Sequence, residues 1–150
     1  MSGRVEAIFL SPEHGELPES VDRVNAHAGR GLEGNRYYWG DGAAPPGRAI
    51  TLIASEAVEA VASEGDVSVE PAATRRNVLT SGIDVNALVG KRFRIGTVEC
   101  EGVELCEPCK DLERATQPGV IKGLLHRGGL NANILTDGVI SVGDEVVEST

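Results

Sequence analysis

What most constrains this chain is how often its apolar runs are interrupted. Each run ends soon at a glycine, a proline or a pair such as Asp137-Gly138 or Gly143-Asp144, and 19 glycines and 7 prolines are spread through 150 residues. Runs of this length suit strands better than helices, because a strand needs only a few residues with period two while a helix needs three turns of continuous pattern. Arg4 to Leu10 places Val5, Ala7 and Phe9 on one side before Ser11-Pro12 breaks it. Arg48 to Ile53 is β-branched, Lys91 to Ile95 and Thr97 to Glu101 flank Gly96 as a hairpin, and Gly102 to Leu105 follows. Asn131 to Leu135 reads as a strand, and Val139 to Val142 and Glu145 to Val147 flank a turn at Gly143-Asp144.

Helical signals are few. Ala54 to Glu64 has Ser55 as an N-cap, Glu56 in the first turn, an apolar face at Val58, Val61 and Ala62, and Gly65 as a stop. Ile83 to Val89 gives a helical turn, and Lys110 to Thr116 and Gly119 to His126 give two short helices separated by Pro118. Glu13 to Ala28 is read as loop with a short strand near Asp22 to Ala26, and Val67 and Val69 as a short extended piece before Pro71. With no repeated βαβ unit, the expected fold is mainly β: a barrel or sandwich of mostly antiparallel strands with a few short helices. The length is that of one domain, 1–150.

Composition excludes several classes of function. A net charge of −9 opposes phosphate neutralisation along a nucleic acid, and one Trp, two Tyr and two Phe are too few to build a base-stacking surface. No apolar run approaches a membrane span, and the start Met1-Ser2-Gly3-Arg4 lacks the apolar core of a signal peptide, so a cytoplasmic protein is expected. Three cysteines in such a chain read as ligands, nucleophiles or core fillers rather than as disulfides.

Two of those cysteines sit in Glu104-Leu105-Cys106-Glu107-Pro108-Cys109-Lys110. Pro108 stiffens the turn and pushes Glu107 towards an extended conformation. Three chemistries are open. A zinc site would use Cys100, Cys106, Cys109 and His126, although the second half-knuckle is absent. A redox dithiol would use Cys106 and Cys109, without the βαβ setting such pairs usually have. A single thiolate, Cys109, facing an anionic cofactor draws on more of the chain, because Arg36, Arg75, Arg76, His126 and Arg127 supply positive charge from three segments. Cys106 then assists or packs, and Cys100, inside an apolar strand, fills core space. Gly29-Arg30-Gly31-Leu32-Glu33-Gly34-Asn35-Arg36 reads either as an anion-binding loop or as a surface loop. Arg75-Arg76 reads either as an anion fork or as a surface ion pair.

Taken in order, Gly31-Leu32-Glu33-Gly34-Asn35-Arg36-Tyr37, Arg75-Arg76-Asn77, Gly90-Lys91-Arg92-Phe93-Arg94-Ile95-Gly96, Cys106-Glu107-Pro108-Cys109, His126-Arg127-Gly128-Gly129-Leu130 and Ile140-Ser141-Val142-Gly143-Asp144-Glu145-Val146 resemble the MOSC domain. This module is named after the C-terminal domain of molybdenum cofactor sulfurases, and the resemblance runs from about Val5 to Val147. It implies a β-barrel-rich fold and a cysteine, Cys109 by its place in the Pro-Cys pair, that ligates molybdenum or carries sulfur. It also implies that Arg76 and Asn77, together with Arg36, contact the pterin of the molybdenum cofactor (molybdopterin) and its phosphate.

Related proteins reduce N-hydroxylated compounds, which makes an oxidoreductase acting on a small-molecule substrate the leading expectation. Cys109 would be both catalytic and metal-ligating, and Arg36, Arg75, Arg76, Asn77, His126 and Arg127 would bind the cofactor. The alternative is a non-catalytic carrier of sulfur, as a Cys109 persulfide, or of the cofactor. Asn35 stands where the family usually has an aspartate. No pyridoxal-phosphate, iron-sulfur or flavin domain is present in the sequence, so pyridoxal phosphate is not expected and a separate electron donor or cysteine desulfurase is.

Overall fold

The structure is a computed structural model that describes residues 2–11, 18–35, 44–64, 76–106 and 129–149, with side chains up to residue 60 in the helix. In chain order the strands are β1 (Ser2–Leu10), β2 (Glu19–Val21), β3 (Arg23–His27), β4 (Gly31–Leu32), β5 (Ile50–Ala54), β6 (Val78–Ser81), β7 (Arg92–Ile95), β8 (Val98–Leu105), β9 (Leu130–Ile134), β10 (Gly138–Ser141) and β11 (Glu145–Glu148). Helix α1 (Ser55–Glu64) lies between β5 and β6, and a 3₁₀ turn (Val85–Leu88) between β6 and β7.

Seven of the strands close into a barrel in the order β1-β11-β7-β8-β9-β5-β6 and back to β1. Closure comes from β1 pairing with β11, Ser2 opposite Val147 and Arg4 opposite Glu145. The later residues of β1 pair with β2, Ile8 opposite Val21, and β6 takes the opposite edge, Ile8 opposite Val78. A separate antiparallel sheet, β10-β3-β4, completes the described strands. The expected mainly β barrel of mostly antiparallel strands with few helices is the observed fold.

Period-two patterning decides which way each strand faces. In β7, Phe93 and Ile95 are buried while Arg92 and Arg94 point out; opposite them on β8, Val98 and Cys100 are buried. The outward side carries Arg94 opposite Glu99, with Nε 3.8 Å from Oε1. β5 and β6 break the alternation, with Ile50, Leu52 and Ile53, and Val78, Leu79 and Thr80, all buried. They form the parallel pair of the barrel, and such strands are covered on both faces, here by the crossover helix α1 on the outside. One core cluster, with Phe93 its largest fully buried side chain, fills the interior.

The observed boundaries shift in informative ways. Ser55, expected as the cap, is the first helical residue, and its hydroxyl donates to Glu56 Oε1 at 3.2 Å. Glu56 Oε2 accepts the Gly82 N–H at 2.7 Å. Burial opposes ionisation of this carboxyl, but the N–H bonds and the Ser55 hydroxyl together hold it below the usual range. The turn at Gly143-Asp144 is present, yet the strands beside it do not pair: β10 joins β3 and β11 enters the barrel. The reason lies in two intruding backbones, since Gly143 N–H donates to Val5 O at 2.8 Å and Val142 N–H to Asp22 O at 2.9 Å. The helices expected over 110–116 and 119–126, and the extended piece at 67–69, lie outside the described residues.

β8 ends with a change of direction. Its register against β9 shifts between Gly102 and Glu104, and Gly102 bonds to Lys91 O and Gly90 N–H, each within 3.0 Å. A β-carbon at Gly102 would strike the Leu88 carbonyl, so only glycine allows the bulge to lie against the 3₁₀ turn. Beyond the bulge, β8 delivers Leu105 and Cys106 to the rim of β5 and β9.

Candidate functional site

Asn77 stands just before β6 and ties three strands together. Its N–H donates to Thr51 O at 3.1 Å and Thr51 Oγ at 2.9 Å, and its Oδ1 accepts the Thr51 N–H and hydroxyl, both at 3.1 Å. On the other side, Nδ2 donates to Phe9 O at 3.2 Å, and Phe9 N–H donates to Asn77 O at 2.7 Å. The amide is buried, and its carbonyl and amino ends both serve the fold's own backbone. The sequence has Asn77 as a cofactor contact; the structure shows it joining β1 to β5.

Arg76, immediately before it, reaches the exit of β8. Its Nη2 donates to Cys106 O at 3.1 Å, while Cys106 N–H donates to Gly129 O at 2.7 Å. Gly129 has φ +121°, and a β-carbon there would meet Leu52 O and approach within 3.4 Å of Arg76 Nε. Only glycine lets β5, the entry to β9 and the guanidinium close on one another. Arg76 thus meets the end of β8 at the backbone of Cys106.

A third tie adds the glycine-rich segment. Asn35 is buried, its N–H donates to Leu32 O at 3.1 Å, and its Oδ1 accepts Ser11 N–H at 2.9 Å. Ser11 lies two residues after Phe9, so Asn35, β1, Asn77, Arg76, Cys106 and Gly129 form one connected network. Arg36, Arg75, Cys109, His126 and Arg127 lie outside the described residues. Each is close in sequence to a member of this network: Arg36 follows Asn35, Arg75 precedes Arg76, Cys109 is three residues past Cys106, and Arg127 two before Gly129.

The cysteines divide sharply. Cys100 is fully buried, its thiol 4.0 Å from Val98 O, and burial, aided by the charge of Glu99, pushes its pKa up to about 12. It fills core space, as expected. Cys106 lies six positions further along the chain, just past the end of β8 and roughly 15–20 Å away even with the bulge, so Cys100 and Cys106 cannot share one tetrahedral zinc. That removes the four-ligand zinc set. Among the described residues no group of three or more His, Cys, Asp or Glu is placed to hold a metal ion.

Sequence reasoning missed Thr51. Thr51 sits in a β-branched run with nothing to mark its hydroxyl as Asn77's partner, whereas Gly129 in a Gly-Gly pair carried a readable signal for a left-handed backbone. Elsewhere, Glu33 accepts from Asn25 Nδ2 at 3.5 Å and lies 2.8 Å from His27 Nε2. The bond with His27, then that with Asn25, lowers its pKa.

The barrel's interior is filled by one core cluster, and Arg76 meets Cys106 where β8 ends. The chain belongs to the MOSC domain family, whose model matches residues 19–147, and that family is associated with molybdenum cofactor binding. Among solved structures it resembles the YuaD protein of Bacillus subtilis, with TM-score 0.83 and 18% identity, covering 100% of this chain and 97% of that one. YiiM of Geobacillus stearothermophilus has TM-score 0.74 and 18% identity over 99% of this chain and 75% of its own. YiiM of Escherichia coli has TM-score 0.69 and 19% identity over 98% and 70%. No curated protein matches the sequence. Among the described residues, no helix is long and apolar enough to cross a membrane.

Proposed function

We propose that this protein binds molybdenum cofactor and reduces N-hydroxylated small molecules at a molybdenum held by Cys109. The observation that carries the reading is the network Asn35–Asn77–Arg76–Cys106–Gly129, from which the segments bearing Arg36, Arg75, Cys109, His126 and Arg127 all depart. The donor chemistry fits the group: a soft thiolate suits molybdenum, and guanidinium forks suit a phosphate. The glycine at 129 also keeps a β-carbon off that rim.

Arg36, Arg75 and Arg76 hold the pterin phosphate, with His126 and Arg127 adding further donors. Asn77 fixes the backbone from which Arg76 extends. Asn35 presents a neutral amide, so proton transfer there has no carboxylate to rely on. When bound, the cofactor supplies the two-electron chemistry that cleaves an N–O bond. Two electrons arrive from a separate donor protein, two protons are taken up, and amine and water leave.

The test is Cys109→Ala, purified without air from a host that makes molybdenum cofactor. Molybdenum and N-reduction are expected in the parent and absent from the variant; equal molybdenum and turnover in both would overturn the proposal. A metal-free parent that gains one sulfur atom on Cys109 from a cysteine desulfurase would replace it with the sulfur-carrier reading.

A further inference from the structure

We infer that the seam where the barrel closes carries a binding site of its own, an outward-facing cleft that takes a small basic amino acid. The cleft has a volume of about 540 Å³ and is lined by Arg4, Glu6, Ser81 and Glu145 among others. Arg4 stands between two neighbours, opposite Glu145 on β11 and opposite Ser81 on β6. Cross-strand partners share a face, and Val5, Thr80 and Val146 beside them are fully buried, so this row points away from the core.

The charges of the row are left open. On β7 and β8 the same cross-strand arrangement closes into a pair, Arg94 with Glu99. Among the described residues, Arg4 and Glu145 form no ion pair although they lie opposite each other. Glu6 joins them from a break in register between Val5 and Ala7, an irregularity of the kind that re-aims a side chain. Ser81 Oγ donates to its Oε1, which leaves Oε2 for a ligand. The cleft is bare of side chains at Gly82 and Gly143, whose N–H groups already donate to Glu56 Oε2 and Val5 O. The Arg4 guanidinium is therefore the donor for an anion, and the two glutamates are the acceptors for cations.

One cation beside two carboxylates fits a ligand of the inverse pattern, with one carboxylate and two ammonium groups. Strand spacing puts the Cα atoms of Glu6 and Glu145 roughly 8 Å apart, a span that the two amino groups of an extended lysine can bridge. A diamine lacks the group for Arg4, and a neutral amino acid lacks the second cation. The cleft lies at the opposite end of β6 from Arg76 and does not depend on the proposed cofactor site.

The test is calorimetric titration of the full chain with free L-lysine, L-norleucine and cadaverine, repeated on Arg4→Gln and Glu145→Gln, with backbone NMR shifts to locate the binding. Both altered side chains are exposed, and the strands beneath them pair through the backbone, so the variants keep the barrel. Free L-lysine is expected to saturate the parent with a Kd on the order of 1 mM. Its shifts should centre on residues 2–4, 81–82 and 143–145. Removing one charge, from the ligand or from the protein, should weaken binding about tenfold. No saturation by about 10 mM L-lysine, shifts centred elsewhere, or undiminished binding in either variant or by either analogue would overturn the inference.

Discussion

Cys100 and Asn77 are both buried, the first filling core space and the second tying strands together. Cys100 keeps its proton in the folded barrel up to about pH 12, against an ordinary value of 9.0. Its raised pKa contributes stability that is fully present below pH 9 and is lost as pH climbs towards 12, where only the unfolded thiol ionises freely. The expected loss is up to about 4 kcal/mol, read as the difference in urea midpoint between parent and Cys100→Ala across that window. Asn77→Asp is expected to cost about 2–3 kcal/mol at neutral pH, because a carboxylate would face the Phe9 carbonyl where an amino group now donates. Burial and that carbonyl raise the new carboxyl's pKa, so the penalty should shrink as pH falls through that raised value and be gone below about pH 4, where the group is protonated in both states and can donate again. Denaturation of parent and variant at both pH values checks it. Asn77 stood out in the sequence beside two arginines; its bonds to Thr51 and Phe9 did not, since an amide gives no sign of which strands it joins.

At the scale of elements, short period-two runs marked most strands correctly, because alternation survives wherever one face meets water. It failed where both faces are covered. β5 was found as an apolar run, but nothing local announced that it lies parallel to β6 with α1 across the pair. The separation of β10 from β11 was equally hidden, since it depends on Val5 and Asp22, which are far away in sequence. β2 was too short and polar to stand out. Gly102 carries a prediction of this scale. Gly102→Ala should push the 3₁₀ turn away from the β8 bulge and cost about 2–3 kcal/mol, measured by thermal or urea unfolding. The same change should raise hydrogen exchange at Gly90, whose N–H donates to Gly102 O, and at position 102, whose N–H donates to Lys91 O, before it affects β1.

For the whole molecule, the candidate site was legible as an ordered set of residues and not as a place. Cys109, Arg36, Arg75 and Arg127 are scattered along the sequence, and only the barrel's curvature brings the residues beside them together, through hydrogen bonds joined by short stretches of chain. That curvature depends on Ser2 to Arg4 meeting Glu145 to Val147, a pairing between the first strand and the last. Pairings of such sequence separation make folding slow, because loop closure must precede most of the contacts that reward it. The same seam means that the barrel is a ring with no obligatory starting strand. Joining the two ends by a few residues and cutting between other neighbouring strands should give a circularly permuted protein with the same rim and a urea midpoint close to the parent's. The order in which the strands are synthesised would then change while the network around Cys106 stayed in place, making connectivity and site separable properties of this fold.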